Sequence, residues 1–318
     1  IIGFKKIVGN YKMPFKGEIE FDRFVYRHPI LTEDAKLISM YPLFKLDHCS
    51  NIEWLNKDYL FHHSIENENN FLWSLIHLKE NSNFIQKKMQ TFGDFEFLED
   101  AIVKINTDGE VVYKKSILEI LVENKIIDKN IFSLSDPFHA NDVQPVNFSS
   151  DFWNKGDLFI VLNHLNSIIH FRPSTDKVIN YIKGPFYQPH DIDIISNNEI
   201  ALFNNNNSVL PDNKYSNILI YNFKDKQFKK KLEDSLISDN FKTKSQGLFE
   251  ILPDGSLFVE EQNHGRLIYY DKNGSKIWEY TNKDSRGNIY EISWSRVIYD
   301  KKFINKIRKI LENVKCSS

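Results

Sequence analysis

The stretch GLFEILPDGSLFVEEQNHGRLIYYDKNGSKIWEY, residues 247–280, holds four short β-rich runs separated by three polar turns. Leu, Val, Ile, Phe, Tyr and Trp dominate the runs, and β-branched and aromatic side chains fit a pleated, half-buried surface. Pro-Asp-Gly joins the first pair of runs and Lys-Asn-Gly the last. Glycine takes positive φ without a Cβ clash, so both are hairpin turns. Four such runs in succession make an antiparallel meander.

The pattern recurs upstream. AIVKINTDGEVVY (101–113), SIIHFRPSTDKVINYI (167–182) and NILIYNFKDKQFKK (217–230) each repeat the second half of the unit. The runs before them supply the first half: HSIE with NFLWSLIHL, NDVQPV with GDLFIVL, and DIDII with EIALF. A four-stranded unit recurring about every fifty residues is the mark of a β-propeller blade. KLISMYPLFKL and NIEWL (36–55) offer outer strands without an inner partner, and YEISWSRVIYD (290–300) offers an inner strand without outer ones. Together they would form a composite blade that closes the ring. The expectation is an all-β propeller of five to six four-stranded blades. Six is favoured, the last irregular or hidden in 1–35. The domains are then an N-terminal extension (1–35), the propeller (36–300) and a C-terminal helix (301–318).

Two segments have helical periodicity instead. In SILEILVENKII (116–127), Ile117, Leu118, Leu121 and Ile126 share a face, which predicts a short insert helix. In KKFINKIRKILENVK (301–315), Phe303, Ile304, Ile307, Ile310, Leu311 and Val314 do so, which predicts an amphipathic helix docked on the propeller.

The chain has 318 residues, 41% hydrophobic and 14% aromatic, with a formal net charge of −2. That is ample for a core and too apolar for disorder. There is no basic stripe, so nucleic acid is not an expected partner. No run of eighteen apolar residues occurs, so no membrane-spanning segment is expected. Cys49 and Cys316 lie near opposite ends without a CxxC. Two unpaired thiols are expected, with a bridge between the ends as the alternative. The chain begins with Ile, as removal of an export signal or anchor would leave it. Nucleotide-binding loops and the serine elbow are absent.

The residues entering the inner strands are polar in every unit: His62 and His63, His139, His190, Gln246, and Ser295 with Arg296. From His139 onward they recur at intervals of about fifty residues. Inner strands line a propeller's channel, so these side chains should share one mouth. The turns NHLNS (163–167), NNNNS (204–208) and QNHGR (262–266) return to the same end. Of the adjacent pair, His63 should face the channel, because HSIE then matches HAND. Such a pocket suits an anion. Imidazole serves as nucleophile, acid or base near neutral pH, arginine grips sulfate or phosphate oxygens, and an amide donates to developing charge. His139, His190 and Arg266 are the expected catalytic residues. Asn141, His63, Asn163, His164, Asn204, Gln246 and Arg296 are the expected substrate contacts. His164 and His264 could equally cap turns, and His48, His77 and His170 are expected to have no function. Glu260 and Glu261 are expected to solvate an edge or partner an arginine. No HxH or HExxH spacing occurs, so neither metal nor cofactor is expected, although His with Asp142 or Asp191 would suit zinc or manganese.

DPFHANDVQPV, GDLFIVLNHLNSIIHFRPSTDKVINYIKGPF, QPHDIDIISNNEIALFNNN and SQGLFEILPDGSLFVEEQNHGRLIYYDKNGSKIWEYTN together resemble the bacterial arylsulfotransferase family that works without a nucleotide donor. The likeness runs over roughly residues 95–298. It implies a six-bladed propeller exported to the periplasm. It also implies sulfuryl transfer from a phenolic sulfate ester to a phenol, through a sulfohistidine. His139 matches the first family histidine, His190 the second, and Asn204 the Asn of an FDN turn. The family's arginine after that turn is replaced by Asn205, Asn206, Asn207 and Ser208, and a further histidine slot holds Gln246. The alternatives are a non-catalytic propeller binding an anionic sugar or aromatic ligand, and a structural propeller with a hydrated channel.

Overall fold

The computed structural model describes residues 11–12, 20–21, 27–40, 42–83, 85–87, 97–127, 135–206, 215–292 and 294–316. Apart from one two-stranded pair, Tyr11–Lys12 with Glu20–Phe21, its strands form five four-stranded antiparallel sheets. Blade 1 comprises Arg27–Leu31, Leu37–Met40, Leu43–Leu46 and Ile52–Asn56. Blade 2 comprises Leu60–Glu68, Phe71–His77, Asp100–Ile105 and Val111–Ser116. Blade 3 comprises Ala140–Pro145, Leu158–Leu162, Ser167–Arg172 and Lys177–Lys183. Blade 4 comprises Pro189–Ile194, Glu199–Asn204, Asn217–Asn222 and Gln227–Lys231. Blade 5 comprises Leu248–Ile251, Leu257–Glu261, Arg266–Tyr270 and Lys276–Thr281. The first strand of each is innermost: Ala140–Pro145 lies against both Leu60–Glu68 and Pro189–Ile194.

Four blades follow the repeat read from the sequence, but the ring has five blades where six were favoured. Nor is blade 1 composite. Arg27–Leu31, inside the expected 1–35 extension, pairs with Leu37–Met40 and takes the inner position. That leaves no edge for 290–300, whose described residues form no strand. The backbone there is held another way. The Glu260 carboxylate accepts the N–H groups of Trp294 (3.2 Å) and Ser295 (2.6 Å). The rest of 1–35, where a sixth blade was placed, lies largely outside the described residues.

Burial explains the apolar repeat. A blade's middle strands pack against a neighbour on both faces, so LFIVL (158–162) is buried throughout. One apolar cluster fills each seam between blades 1 and 2, 2 and 3, 3 and 4, and 4 and 5. The rim strand Val111–Ser116 alternates instead, with one face in water. The insert helix, Ile117–Glu123, starts at Ser116, whose hydroxyl accepts the Glu119 N–H. It sinks Ile117, Leu118, Ile120 and Leu121 into the seam between blades 2 and 3. The C-terminal helix, Lys301–Glu312, is capped by Asp300 and buries Ile307. Lys306 pairs with Glu33 at 2.7 Å. The two cysteines are joined, contrary to the expectation of unpaired thiols, because the docked helix brings their Cα atoms within 5.4 Å. The bridge ties the C-terminus to blade 1.

The inner strands of blades 1 to 4 each bulge as they enter the channel. Residues beside the bulges take positive φ: His28, His63, His139 and Gln188. A bulge turns its side chains away from simple alternation. One backbone N–H per strand is met by the preceding blade: Val143 by Ser64 Oγ (3.0 Å), Ile192 by Asp142 Oδ2 (2.9 Å) and Phe249 by Asp191 Oδ2 (3.1 Å). This ladder fixes the true register. His63, Asn141, His190 and Gly247 are equivalent, each one residue before the ladder side chain or in its place one blade on.

Candidate functional site

The ladder gathers imidazoles at one mouth. His63 is central, its ring 4.9 Å from that of His139 and 5.9 Å from that of His190. His164 stacks on His139 at 4.8 Å from the turn between the middle strands of blade 3. His63 and His139 are half-buried, His164 is exposed and His190 is buried. Trp294 lies nearly parallel to His190 at 5.3 Å and also meets the tilted ring of His28 at 3.6 Å. Neither Trp294 nor His28 was a sequence candidate. Their signal was an aromatic beside a polar strand entrance, which also fits an ordinary core residue.

Each histidine has a distinct environment. His190 Nδ1 lies 3.0 Å from the Gly247 carbonyl, which can only accept, so Nδ1 carries the hydrogen. Nε2 is then a bare lone pair, buried and without a hydrogen-bond partner among the described residues. Burial pushes this imidazole down to about 4, against the Gly247 hydrogen bond. His139 goes the other way. Burial opposes its charge, but the Asp136 carboxylate, 2.5 Å from Nδ1, raises its pKa above the ordinary value. His63 is held well below its ordinary value by burial and by its imidazole neighbours His62, His139 and His190. Thus one histidine is neutral with a fixed tautomer and another, two rings away, is poised to carry a proton. Divergent pKa values within one pocket are the usual sign of an acid and a base.

Behind the mouth, His62 Nδ1 meets His63 Nδ1 at 2.7 Å. His62 stacks on His77 at 3.9 Å, and both approach Asp100. Burial and His77 lower the His62 pKa. Burial resists the charge on Asp100, yet His62 and His77 hold it below the usual carboxylate range.

Other expected site residues serve the frame. Asn141 and Asn163 both donate to the Pro189 carbonyl, at 2.9 and 3.2 Å. Asn141 Oδ1 is nevertheless buried without a partner among the described residues. Asn204 Oδ1 accepts from the Tyr187 and Asn206 N–H groups, and its amide donates to Asn217, so it ties a turn. The adjoining Asn207 and Ser208 lie outside the described residues. Gln246 accepts from Asn205 through its backbone carbonyl. It does not occupy the slot of His190: that slot is Gly247, at φ 145°, where a Cβ would fall 2.4 Å from the Phe203 ring. The expected alignment of His139 with His190 is likewise off by two residues: the ladder sets Asn141 level with His190, and His139 level with Gln188, which shares its positive φ.

Neither expected arginine reaches the mouth. Arg266 is on the third strand of blade 5, bound to Glu261 Oε2 (2.6 Å) and the Asp239 carbonyl (3.0 Å). A buried carboxylate claims it, as the adjacent Glu260-Glu261 pair suggested. Arg296 lies deeper in the channel, on Glu66 (2.6 Å) and the Ile65 carbonyl (2.7 Å). Around it stand Asp191, Asp193 and Glu250. Burial and neighbouring carboxylates raise Asp142 and Glu250 to about 7, and Asp191 and Asp193 well above their usual range. The residues expected to have no function include His170, which pairs with Asp157 in the core, and His48, bonded to the Asp34 carbonyl. His264 leans on Glu261 at its turn.

Comparison with known proteins gives a family and a fold. The family model "Arylsulfotransferase (ASST)" matches residues 47–283. No curated protein matches. Among solved structures, a Bacteroides caccae protein of unknown function superposes with a TM-score of 0.52 at 10% identity, covering 80% of each chain. A streptogramin B lyase gives 0.44 at 13% identity, covering 85% of this chain and 70% of that one. Virginiamycin B lyase from Staphylococcus aureus gives 0.42 at 13% identity, covering 80% and 69%. The first supports the propeller fold; the lyase likenesses support nothing further. No helix among the described residues is long and apolar enough to cross a membrane.

Proposed function

This chain belongs to the arylsulfotransferase family, and from that premise we propose that it transfers a sulfuryl group from a phenolic sulfate ester to a phenolic acceptor at the histidine mouth. His190 is the nucleophile. Its Nε2 lone pair attacks sulfur, an N–S bond forms, and the S–O bond to the aryl group breaks. His139, protonated and held by Asp136, gives its proton to the departing phenoxide oxygen. In the second half the acceptor phenol loses its proton to His139 and takes the sulfuryl group from His190, restoring both. His63, between them, and His164 orient the sulfate oxygens. No cofactor enters this scheme.

The observation that carries this reading is the opposed pair: His190 neutral with its tautomer set by Gly247, and His139 favouring the proton beside Asp136. The disulfide between Cys49 and Cys316 supports an exported, periplasmic setting, since such bonds persist in oxidising compartments. The test is incubation with a chromogenic aryl sulfate, with and without a phenol, followed by intact mass. Transfer with a sulfuryl adduct is expected, with the adduct lost in His190→Asn. His139→Gln should lower turnover by about a hundredfold or more, as loss of a general acid does. Full turnover in both variants would end the reading.

A second reading is a binding propeller for an anionic sugar or aromatic ligand. It is favoured by the engagement of Arg266 and Arg296 elsewhere, which leaves no arginine of that pair to grip sulfate. Stoichiometric retention of such a ligand without product would select it.

A further inference from the structure

Blade 2 carries a second cluster beside the mouth, and no short motif announces it. His62 comes from the inner strand, His77 from the end of the second strand and Asp100 from the start of the third. Antiparallel pairing sets His77 opposite Asp100, and brings His62 to the same end of the sheet. Asp100 Oδ1 is 3.2 Å from His62 Nε2 and 2.8 Å from His77 Nδ1. All three atoms are buried, and none has a partner with hydrogen-bond geometry. The three ligand atoms lie within 4.8 Å of one another. We propose that His62 Nε2, His77 Nδ1 and Asp100 Oδ1 bind one divalent first-row transition metal ion.

Three arguments support this. A buried carboxylate oxygen and two ring nitrogens facing each other without directed hydrogen bonds are costly, and a shared cation removes that cost. The two separations from Asp100 Oδ1, 3.2 and 2.8 Å, are close to what an ion needs. Ligands about 2.0–2.2 Å from a zinc-class ion are roughly 3–3.5 Å apart. Finally, the outward atoms of two of the three ligands are already held, as they are around natural metal ligands. Asp100 Oδ2 accepts the Ala140 N–H at 2.8 Å, and His62 Nδ1 meets His63 Nδ1 at 2.7 Å. Two imidazoles and one carboxylate favour zinc, iron or a neighbouring metal over magnesium or calcium. His77, the most accessible of the three, opens the side where water would complete the shell.

The neighbouring group of Asp136, His139 and His164 is a weaker site. Its Nδ1 atoms are spent on Asp136, His139 on the carboxylate and His164 on the backbone carbonyl. Binding at the blade 2 cluster has a consequence for the mouth. With Nε2 on the metal, His62 carries hydrogen on Nδ1 and donates it to His63 Nδ1. His63 then presents an N–H from Nε2 to the pocket. Metal occupancy itself does not depend on the sulfuryl-transfer reading.

The experiment uses the full chain, stripped with a chelator and titrated with Zn(II) and, separately, Co(II). One equivalent should bind, raise the melting temperature and give a Co(II) visible band. His77→Ala and Asp100→Asn should each weaken Zn(II) binding at least tenfold, while His164→Ala binds like the wild type. If His77→Ala does not fold, His77→Gln, judged by far-UV circular dichroism, takes its place. A wild-type chain that binds no Zn(II) at micromolar concentration would overturn the proposal. So would binding that survives both blade 2 variants, or that disappears only in His164→Ala.

Discussion

Two levels of one channel have opposite chemistry. The mouth is lined by His63, His139, His164 and His190, whose imidazole rings meet edge-on or stacked. A few residues deeper, Glu66, Asp191, Asp193 and Glu250 surround the single guanidinium of Arg296. In blades 2 and 4 the bulge marks the boundary: His63 and His190 sit within it, and beyond it alternation sends Glu66 and Asp193 to the channel while Ile65 and Ile192 enter the seams. The lesson is that a polar residue on an inner strand has no role until its position relative to the bulge is known. Asp142 and Asp191, either of which would suit a metal together with histidine, instead close the ladder between blades.

This contrast can be broken by showing that a deeper or peripheral charge does chemistry. Arg266→Ala should have the largest effect on stability, a loss of about 3 kcal/mol in denaturant unfolding, because Glu261 would remain buried without its main partner. Its turnover per folded molecule should stay within twofold of the wild type; a hundredfold drop would return Arg266 to the active centre. Arg296→Gln should cost less, about 2 kcal/mol for its charged hydrogen bonds, since about a third of that side chain is exposed. The smallest effect sharpens the picture through pH. Glu250 has a pKa of about 7 in the fold, above its unfolded value, so the fold holds its proton more tightly. Its contribution is fully present below about pH 4.5 and is lost as pH rises towards 7. Glu250→Gln should therefore be more stable than the wild type by about 1 kcal/mol at pH 8, and equal at pH 4. Melting curves at the two pH values decide it, and an equal gain at both would mean the acids are not under strain.

Much of this was legible in the residues. Apolar runs with Asp-Gly and Asn-Gly turns gave the four-stranded unit, because strand alternation and hairpin geometry are local. The two helices followed from periodicity for the same reason. His139, His190 and His63 were legible as a group because the repeat sets them at one end of successive blades. Arg266 and Arg296 were misplaced because a charge's partner is chosen in space: Glu261 is five residues from Arg266, but Glu66 is two hundred and thirty from Arg296. The grouping of His77 with His62 and Asp100 was not legible, because the three lie on different strands.

Sequence alone determined the strands, their turns and the polarity of each strand entrance, since these depend on side chains and φ preferences within a few residues. Tertiary structure decided that five blades form the ring and that Arg27–Leu31 takes the first inner position. It also decided that Cys49 meets Cys316, and that His190 is held neutral while His139 favours its proton. Those outcomes depend on burial and on the charge of groups far away in the chain, which exist only once the blades have packed.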